Sequence, residues 1–444
     1  MSDEAGSPGE ASPTAGSEYP QADAGRLSEH IEHFAGFTAS STGITRLAYS
    51  TTERAAHASF AKKMDDLGLK VTVDAAGNTY ATRPGRASGL GAVVTGSHLD
   101  SVPDAGRFDG IAGVAAALEV AQLVVEHDLP HQHDLRFVAF AAEEGARFGT
   151  ACLGSRLAAG LLSSQQLTSL SDQSGMSMID AMAEVGLDGH EAVANPWPAS
   201  ECAAFVELHV EQGGVLEAAG VDVGVVDLVS GSTRLRLDIT GQASHTGATP
   251  MVGRQDALAA AAEIILIAES LANDARHRGT RATVGQLVSQ PGSITTIAGH
   301  AQLALDVRDV DSDRQRAAAV EIIRRAVAAC DRRRVGLSVA LLGDTSPVVL
   351  PIWLRMLTAQ VCRDNGVSYQ VMTSGASHDA QMMNRPAPAA LIFVPSRGGL
   401  SHVPEEWTSS RDLARGTSVL LATLLRVDAE LIRLGDLGPE RQPT

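Results

Sequence analysis

The sequence predicts an α/β protein whose first domain has a largely parallel central sheet flanked by helices, with a smaller α+β sandwich domain inserted into it. Three observations support this prediction. Two apolar runs, at 92–94 and 134–142, are separated by an alanine-rich helical pattern, which is the order of a βαβ unit. Beyond residue 230 the strand patterns instead alternate apolar and charged residues, as half-exposed antiparallel strands do. A chain of 444 residues is also long for a single hydrophobic core.

The elements of the first domain follow from the spacing of apolar residues. Leu27, Ile31 and Phe34 recur at helical spacing, and a second helical pattern begins near Arg54. The stretch 75–78 is typical of a tight turn between two short strands. In chain order we predict two helices between 26 and 68, strands at 70–74, 79–82 and 92–94, a helix at 110–127, a strand at 134–142, a loosely helical polar stretch at 156–189 and a strand from 203.

The inserted domain is predicted from the change of pattern near residue 230. We predict strands at 233–240, 282–288, 301–308 and 337–342 and helices at 254–273 and 312–332, which make a self-contained α+β sandwich. The chain then returns to the first domain through helices at 353–365 and 412–434. The predicted division is a disordered tail at 1–25, a first domain at 26–230 and 344–434, an inserted domain at 231–343 and a tail at 435–444.

The composition excludes several classes of protein. The formal net charge of −17, without any basic face, argues against a nucleic-acid partner. No apolar run reaches the roughly 18 residues of a membrane span, and the first 25 residues lack the basic start and apolar stretch of a signal peptide. The four cysteines are far apart and form no CxxC pair, so we expect reduced, structural thiols in a cytoplasmic protein without a membrane partner.

Residues with metal-binding side chains follow two of the predicted strands. His98, Asp100 and Asp109 lie in the glycine-rich loop after the first apolar strand, and Glu143 and Glu144 directly follow the next one. Ligands of α/β sheets bind in the crevice beyond the carboxyl ends of the strands. We therefore expect these two segments to converge at one edge of the sheet.

Together with His209 and His402, these residues indicate a site for two metal ions. Imidazole and carboxylate suit zinc, and two ions that share a carboxylate, about 3.5 Å apart, hold a hydroxide and polarise a carbonyl. Such an arrangement hydrolyses an amide. Each residue alone also has an ordinary explanation, because adjacent glutamates such as Glu143 and Glu144 are common on solvated surfaces. Their position at the end of so apolar a strand favours burial near a cation, since unpaired buried carboxylates are costly.

Six stretches of the sequence resemble a known family. They are GSHLDSVPDAGRFDGIAGV, EEGARFGTACLGS, ELHVEQGGVLEAAG, GQASHTGATPM, SGASHDAQMM and SRGGLSHVPEEWTS. The chain from about Arg26 to Leu425 resembles the dinuclear-metal amidases related to aminoacylases and glutamate carboxypeptidases. Within this family, the sequence resembles most the branch of N-carbamoyl-L-amino acid hydrolase and allantoate amidohydrolase. The distinguishing residue is the histidine of ELHVEQG, where related peptidases have an aspartate.

The resemblance implies a set of metal ligands and a general base in the first domain, which would then be the catalytic domain. Glu143 would take a proton from the attacking water and return it to the leaving nitrogen, and Asp100 would orient the imidazole of His98. Two divalent ions are implied, with Zn²⁺ favoured over Mn²⁺ or Co²⁺. Their implied ligands are His98 and His209 on one ion, Glu144 and His402 on the other, and Asp109 bridging both.

The resemblance also implies a homodimer that forms through the inserted domain. His245 would reach the partner subunit's site and stabilise an oxyanion there, although a turn histidine beside Gly247 is the alternative. Arg308 would bind the carboxylate of a small-molecule substrate, and its alternative is a surface arginine at a strand end. The residues implied to bind the substrate are Gln212, Arg308, Thr295, Ser374, Gly375, Ala376 and His378.

The sequence departs from the family pattern at a residue that is implied to bind the substrate, and at none of the implied metal ligands. The departure therefore concerns the choice of substrate and not the type of reaction. Thr295 stands where the family usually has an asparagine, and a hydroxyl cannot offer the two donors of an amide. We predict hydrolysis of the ureido C–N bond of an N-carbamoyl-L-amino acid to the amino acid, CO₂ and ammonia. Allantoate, or an N-acyl amino acid or dipeptide, is an alternative substrate for the same metal chemistry. A binding protein without catalysis is the alternative from another class.

Overall fold

The computed structural model describes residues 18–436, within which the backbone forms fifteen strands and thirteen α-helices. The strands are β1 Lys70–Val73, β2 Thr79–Arg83, β3 Ala92–His98, β4 Leu135–Phe140, β5 Cys202–Val210, β6 Val223–Val229, β7 Gly231–Thr240, β8 Ser244–His245, β9 Arg281–Gln290, β10 Thr296–Ile297, β11 His300–Asp309, β12 Gly336–Thr345, β13 Val348–Val349, β14 Tyr369–Ser374 and β15 Ala389–Val394. The α-helices are α1 Ala24–Ala35, α2 Thr51–Asp66, α3 Ile111–Glu126, α4 Leu153–Ala158, α5 Ser164–Ser169, α6 Met178–Glu184, α7 Gly189–Ala194, α8 Val215–Ala219, α9 Ala257–Ala272, α10 Ser312–Arg333, α11 Ile352–Asp364, α12 Asp379–Met383 and α13 Ser410–Asp436. Within residues 18–436, every helix is too short or too polar to cross a membrane.

The larger sheet has a parallel centre and antiparallel margins. Its path is β1-β2-β4-β3-β5-β15-β6-β13, with β14 also paired to β6. The four central strands β4, β3, β5 and β15 run parallel, whereas β1, β2 and β13 pair antiparallel to their neighbours. All side chains of β3, β4 and β15 are buried, as expected for strands that are covered on both faces.

Helices cover both faces of this sheet. On one face, α1, α2, α3, α11 and α13 share one hydrophobic core with the strands. Helix α3 is alanine-rich and buried along most of its length, which lets it pack closely between the sheet and α13. On the other face, the short helices α4 to α7 and α12 pack over a second set of apolar side chains. The N-terminus of α3 therefore lies at the edge where β3 ends.

The smaller sheet is antiparallel and has the order β12-β7-β11-β9. Helices α9 and α10 bury one face of it, where Leu237, Leu303 and Ile322 belong to a separate core. The opposite face carries the alternate, polar positions of β7 and β11, which are partly exposed apart from the exposed Arg236 and Thr240. This polar face lies against the carboxyl edge of the larger sheet, since Arg308 donates to the carbonyl of Gly375 across the two.

The structure confirms the predicted fold class, with a separate four-stranded sheet as expected for an inserted domain. The exact domain boundaries stay a prediction. Helix α1 begins at Ala24 and is capped by Asp23, so regular structure extends into the predicted N-terminal tail. Residues 1–17 and 437–444 of the two predicted tails lie outside the described residues. Strands β6, β13, β14 and β15 of the larger sheet and the two-residue strands β8 and β10 were not predicted.

Candidate metal centre

Five of the predicted metal-site side chains lie at the carboxyl ends of the four parallel strands. His98 is the last residue of β3, and Glu143 and Glu144 follow the end of β4. His209 is the penultimate residue of β5, and His402 lies in the loop after β15. Because these strands are parallel neighbours, their ends meet at one edge of the sheet, and the side chains converge there.

Asp109 lies between two groups of these ligands. Its Oδ1 is 3.5 Å from Nε2 of His98 and 3.1 Å from Nε2 of His209. Its Oδ2 is 3.1 Å from Nε2 of His402, which is itself 3.4 Å from Oε2 of Glu144. In each group, one ligand atom per residue lies within 4.8 Å of the others. The arrangement is that of two three-residue metal-binding groups that share one carboxylate.

A glycine makes the close approach of α3 to this cluster possible. Gly110 precedes the helix and has a φ of +67°. A Cβ atom at this position would lie 2.5 Å from both Nδ1 and the carbonyl oxygen of His98. A larger residue would therefore displace His98 as well as strain the backbone.

Main-chain oxygens orient two of the histidines. Nδ1 of His98 is 3.1 Å from the carbonyl oxygen of Asp100, and Nδ1 of His209 is 2.9 Å from that of Val210. Each contact turns Nε2, the atom that could bind a metal, toward Asp109, and Nε2 of His209 also lies 3.3 Å from the N–H nitrogen of Gly110. The Asp100 carboxylate, predicted to hold His98, is 3.6 Å from its Nδ1. It accepts shorter hydrogen bonds from the N–H groups of Glu143 and Glu144, so it mainly joins the loops after β3 and β4.

The electrostatics of the cluster fit a divalent metal. Burial would raise the pKa of Asp109, but hydrogen bonds from His209, His402 and His98 hold it well below its usual range. Burial and the neighbouring Asp109 raise the pKa of Glu144 to about 8, and the Glu144 carboxylate raises the pKa of His402 to about 10. Oε1 of Glu144 is buried without a hydrogen-bond partner in the described part of the chain. Imidazole and carboxylate donors around an unpaired buried oxygen are what a divalent cation would satisfy.

Glu143 is buried beside the same cluster and is held by a thiol. Its Oε2 is 3.9 Å from Nε2 of His98, and its Oε1 accepts a hydrogen bond from Sγ of Cys152 at 2.9 Å. Burial and the Glu143 charge raise the pKa of the Cys152 thiol well above its usual value, so the thiol keeps its proton and donates it. One oxygen of Glu143 is therefore fixed, and the other faces the metal ligands.

The cluster opens into two connected depressions. The inner pocket, of about 70 Å³, contains the six predicted metal-site residues together with Gln212, Arg234, Arg308 and Ala376. The outer cleft, of about 490 Å³, is lined by Gln212, Ser401 and His402 on the larger domain. On the side of the smaller sheet, Arg281, Asp306 and Arg308 line the outer cleft. A small molecule that reaches the metal ligands therefore also meets the polar face of the smaller sheet.

Gln212 and Arg308 lie at the junction of the two depressions. Nε2 of Gln212 donates to Oδ2 of Asp109 at 2.8 Å, and its buried Oε1 has no partner among the described residues. Arg308 donates through Nε to Asp306 at 2.9 Å and through Nη1 to the carbonyl of Gly375 at 3.0 Å. Both side chains are thus fixed where they face the inner pocket.

The comparisons with known proteins agree with this geometry. Residues 94–426 match the family model described as peptidase family M20/M25/M40. The chain belongs to this family. It is 36% identical to an N-carbamoyl-L-amino-acid amidohydrolase of Paenarthrobacter aurescens, over 92% of this chain and 99% of the relative. It is 34% identical to an allantoate amidohydrolase of Bacillus subtilis, over 90% of this chain and 97% of the relative.

A solved structure extends the likeness to three dimensions. The crystal structure of a hydantoinase/carbamoylase family amidase from Burkholderia vietnamiensis superposes with a TM-score of 0.87 at 30% identity. The match covers 92% of this chain and 98% of the other. With relatives of these kinds, this member of the M20/M25/M40 family is a hydrolase of carbon–nitrogen bonds other than peptide bonds.

The loop predicted to bind substrate divides into an exposed and a buried half. Gly375 and Ala376 line the outer cleft. Ser374 and His378 are buried, and the Ser374 hydroxyl lies 2.9 Å from Nε2 of His378. The His378 ring packs edge-on against the ring of His209, with 4.5 Å between centroids. Ser374 and His378 thus lie in the buried half of this loop, where the His378 ring contacts His209; their role in substrate binding stays a prediction.

His245 and Thr295 lie together but away from these depressions. Both are exposed in the inserted domain, where β8 pairs with β10 and the N–H of Thr246 donates to the carbonyl of Thr295. Neither residue lines the inner pocket or the outer cleft. Nδ1 of His245 accepts hydrogen bonds from the N–H groups of Gly247 and Ala248 at 3.0 and 3.2 Å. In the neutral ring the proton is therefore on Nε2. The exposed side chain of His245 thus has an N–H donor on that nitrogen.

Several residues at the site were not predicted from the sequence. Among them are Cys152, which contacts Glu143, and Arg234 and Arg281, which line the depressions. The alternation of β7 gave a signal for Arg234, because it places this arginine on the polar face with Asp238. Cys152 and Arg281 gave no such signal, since their positions depend on how distant segments pack.

Proposed function

We propose that this chain hydrolyses the ureido C–N bond of N-carbamoyl-L-amino acids to the free amino acid, CO₂ and ammonia. The observation that carries the proposal is the position of Asp109, with one oxygen facing each of two ligand groups. The amidohydrolases among its relatives support the ureido substrate. The proximity of Arg308 to the inner pocket supports a substrate that carries a carboxylate.

The metal site in this proposal contains two divalent ions, with Zn²⁺ as the first candidate and Mn²⁺ or Co²⁺ as alternatives. His98 and His209 would bind one ion, Glu144 and His402 the other, and Asp109 both. When bound, the ions polarise the ureido carbonyl and make water more acidic. The buried, unpartnered Oε1 of Glu144 supports this assignment.

The remaining steps belong to side chains of the chain itself. Glu143 accepts a proton from the attacking water on Oε2 and delivers it to the leaving nitrogen, while Cys152 holds Oε1. Arg308 binds the α-carboxylate through the guanidinium donors that Asp306 and Gly375 leave free. Gln212 offers the unpaired Oε1 to an N–H of the ureido group.

We further propose that the active unit is a homodimer. His245 presents an Nε2–H donor at the surface of the inserted domain but does not line the metal depressions of its own chain. In a dimer, this donor and Thr295 beside it would reach the substrate's carbonyl oxygen at the metal centre of the partner subunit. Exposed apolar side chains on α9 and β9, among them Leu266 and Leu287, support an interface through the inserted domain.

The proposed location is the cytoplasm. All four cysteines are buried free thiols, which fits a reducing compartment.

The competing substrates share the metal chemistry. Allantoate has a carboxylate and two ureido groups, and the relative from Bacillus subtilis supports it as the second candidate. An N-acyl amino acid or dipeptide would need the same ligands but would release no ammonia. The convergence of all six metal-site side chains argues against a binding protein without catalysis, since such a protein needs no general base.

The deciding experiment measures ammonia release from a panel of N-carbamoyl-L-amino acids and allantoate, beside amine release from N-acyl amino acids. We expect ammonia from the carbamoyl compounds with the metal-loaded enzyme. Release of amine from the N-acyl compounds alone would overturn the ureido assignment.

A matched variant separates chemistry from folding. Glu143→Ala should retain about two metal ions per chain by elemental analysis, because Glu143 is not among the proposed ligands, while turnover falls by about 10² or more. Full turnover in Glu143→Ala would remove it from the mechanism. A wild-type chain without metal, unaffected by chelators or added Zn²⁺, would favour the binding-protein alternative.

A further inference from the structure

The polar face of the smaller sheet places two arginines side by side. Arg308 of β11 and Arg281 of β9 are direct partners in the antiparallel register. Both side chains line the outer cleft, together with His402 of the metal centre. Like charges directly opposite each other destabilise a sheet. The pair therefore favours an additional anion in the cleft beside the Asp306 carboxylate.

The two guanidinium groups differ in their partners. Arg308 is fixed by Asp306 and by the carbonyl of Gly375. The guanidinium of Arg281 makes no hydrogen bond and no ion pair with any residue in the described range 18–436, whereas its backbone belongs to the ladder between β9 and β11. Its Nη1 lies against Gly375, 3.3 Å from where a Cβ of that residue would be. The guanidinium of Arg281 therefore keeps its donors free, at a place where a Cβ on residue 375 would crowd it.

The carboxylates that line the same cleft are already occupied. Asp306 receives Arg308 at 2.9 Å and lies 3.7 Å from Nε of Arg234. The two oxygens of Glu211 accept the N–H groups of Val215 and Leu216, both at 2.8 Å, at the start of α8. Neither acid is paired with Arg281. The Arg281 guanidinium thus has no ion-pair partner among the two acids that line the outer cleft.

We infer that Arg281 binds a second carboxylate, located in the side chain of the substrate, so that the preferred substrates are N-carbamoyl derivatives of acidic L-amino acids. The inference rests on the proposed function, which assigns the α-carboxylate to Arg308. A dicarboxylate places one anion on each arginine and removes their repulsion, whereas an uncharged side chain leaves Arg281 unpaired. The planar guanidinium suits a two-point contact with a carboxylate.

Matched substrate pairs test this inference. N-carbamoyl-L-glutamate and N-carbamoyl-L-glutamine have nearly the same shape and differ in one charge, and the aspartate and asparagine derivatives form a second pair. We expect wild-type kcat/KM to favour the acidic member of at least one pair by on the order of tenfold to a hundredfold. Arg281→Gln should reduce this ratio to about one by raising KM for the acidic substrate, and Arg281→Lys should retain part of it.

The control is Arg278→Gln, which removes an exposed arginine three residues earlier that does not line the outer cleft. It should leave the ratio unchanged. Equal kcat/KM within both wild-type pairs, or a ratio that Arg281→Gln does not alter, would overturn the inference while ureido hydrolysis still stands. If no carbamoyl compound yields ammonia, the proposed function fails, and this inference fails with it. Because Arg281 is exposed, its substitution should not prevent folding.

Discussion

At the residue scale, the contact between Cys152 and Glu143 fixes one oxygen of the proposed general base. The thiol donates to one carboxylate oxygen, and a hydroxyl of similar size can make the same hydrogen bond. We therefore expect Cys152→Ala to lower kcat on the order of tenfold with little change in KM, and Cys152→Ser to retain most of the activity. Steady-state kinetics on one N-carbamoyl substrate measure both quantities.

The metal content of both cysteine variants provides the control. It should equal that of the wild type, because Cys152 is not among the proposed ligands. If Cys152→Ser loses as much activity as Cys152→Ala, the thiol acts through packing and not through its donor. If neither variant loses activity, Glu143 does not depend on the contact.

Some of the proposed metal-site residues were predictable from the sequence because they belong to a local pattern. His98 is the last residue of β3, and Glu143 lies shortly after the end of β4. Their position at the carboxyl edge of the sheet therefore follows from the direction of these strands. Arg281 could not be predicted in this way. Its register opposite Arg308 and its lack of a counter-ion exist only once β9 and β11 have paired. The position of Cys152 depends on a left-handed backbone, with φ +59°, at the start of α4.

At the element scale, predictions succeeded where alternation or helical spacing was unbroken. The βαβ unit of β3, α3 and β4 and the strands and helices of the smaller sheet follow the predicted order. Strand β15 was missed although it lies at the centre of the sheet between β5 and β6. A run of six apolar residues flanked by prolines has no distinctive period, and its partner β5 lies far earlier in the chain. His402 lies in the loop after β15. Because this strand was not predicted, the position of His402 at the edge of the sheet could not be predicted from a neighbouring strand.

Helix α13 is joined to the loop before β4 through one buried carboxylate. Asp428 accepts the N–H groups of Gln132 and His133 and the Nδ1–H of His133. An asparagine at position 428 has only one acceptor oxygen, and its NH₂ group would face N–H donors with which it cannot form a hydrogen bond. We expect Asp428→Asn to lower the free energy of unfolding by about 1–3 kcal/mol at pH 7, measured by urea denaturation.

The same contact predicts a pH dependence. Burial would raise the pKa of Asp428, but the hydrogen bonds from His133 and Gln132 hold it below its usual value. A lowered pKa in the folded state stabilises the protein above the unfolded-state pKa, about 4, and this stabilisation is lost as the pH falls through the folded-state pKa. The difference between wild type and Asp428→Asn should therefore shrink below about pH 4.

Glu430→Gln is the matched control on the same helix. Glu430 pairs with Arg433 one turn along, and such surface pairs contribute little. Its effect should stay within about 0.5 kcal/mol. An Asp428→Asn effect as small as this, or one that does not change with pH, would mean that the carboxylate does not hold α13 to the loop.

At the scale of the whole molecule, the chain separates two parts of one proposed active site. The metal ligands and Glu143 lie at the carboxyl edge of the larger sheet, whereas His245 and Thr295 lie together on the inserted domain outside both depressions. A homodimer resolves this separation, because each inserted domain can serve the other subunit's metal centre. The activity of one chain would then depend on a residue of the other.

Mixing two inactive variants tests this dependence. His245→Ala and Glu143→Ala should each abolish most turnover, and an equal mixture that exchanges subunits should recover about a quarter of the wild-type activity. Half of the dimers are then mixed, and each mixed dimer combines an intact Glu143 with an intact His245 at one of its two sites. A mixture of Glu143→Ala with Glu143→Gln should recover nothing. If labelled subunits exchange and the first mixture still recovers nothing, His245 does not act at the partner subunit's metal centre. Its Nε2–H group would then be a surface donor without a role in catalysis there.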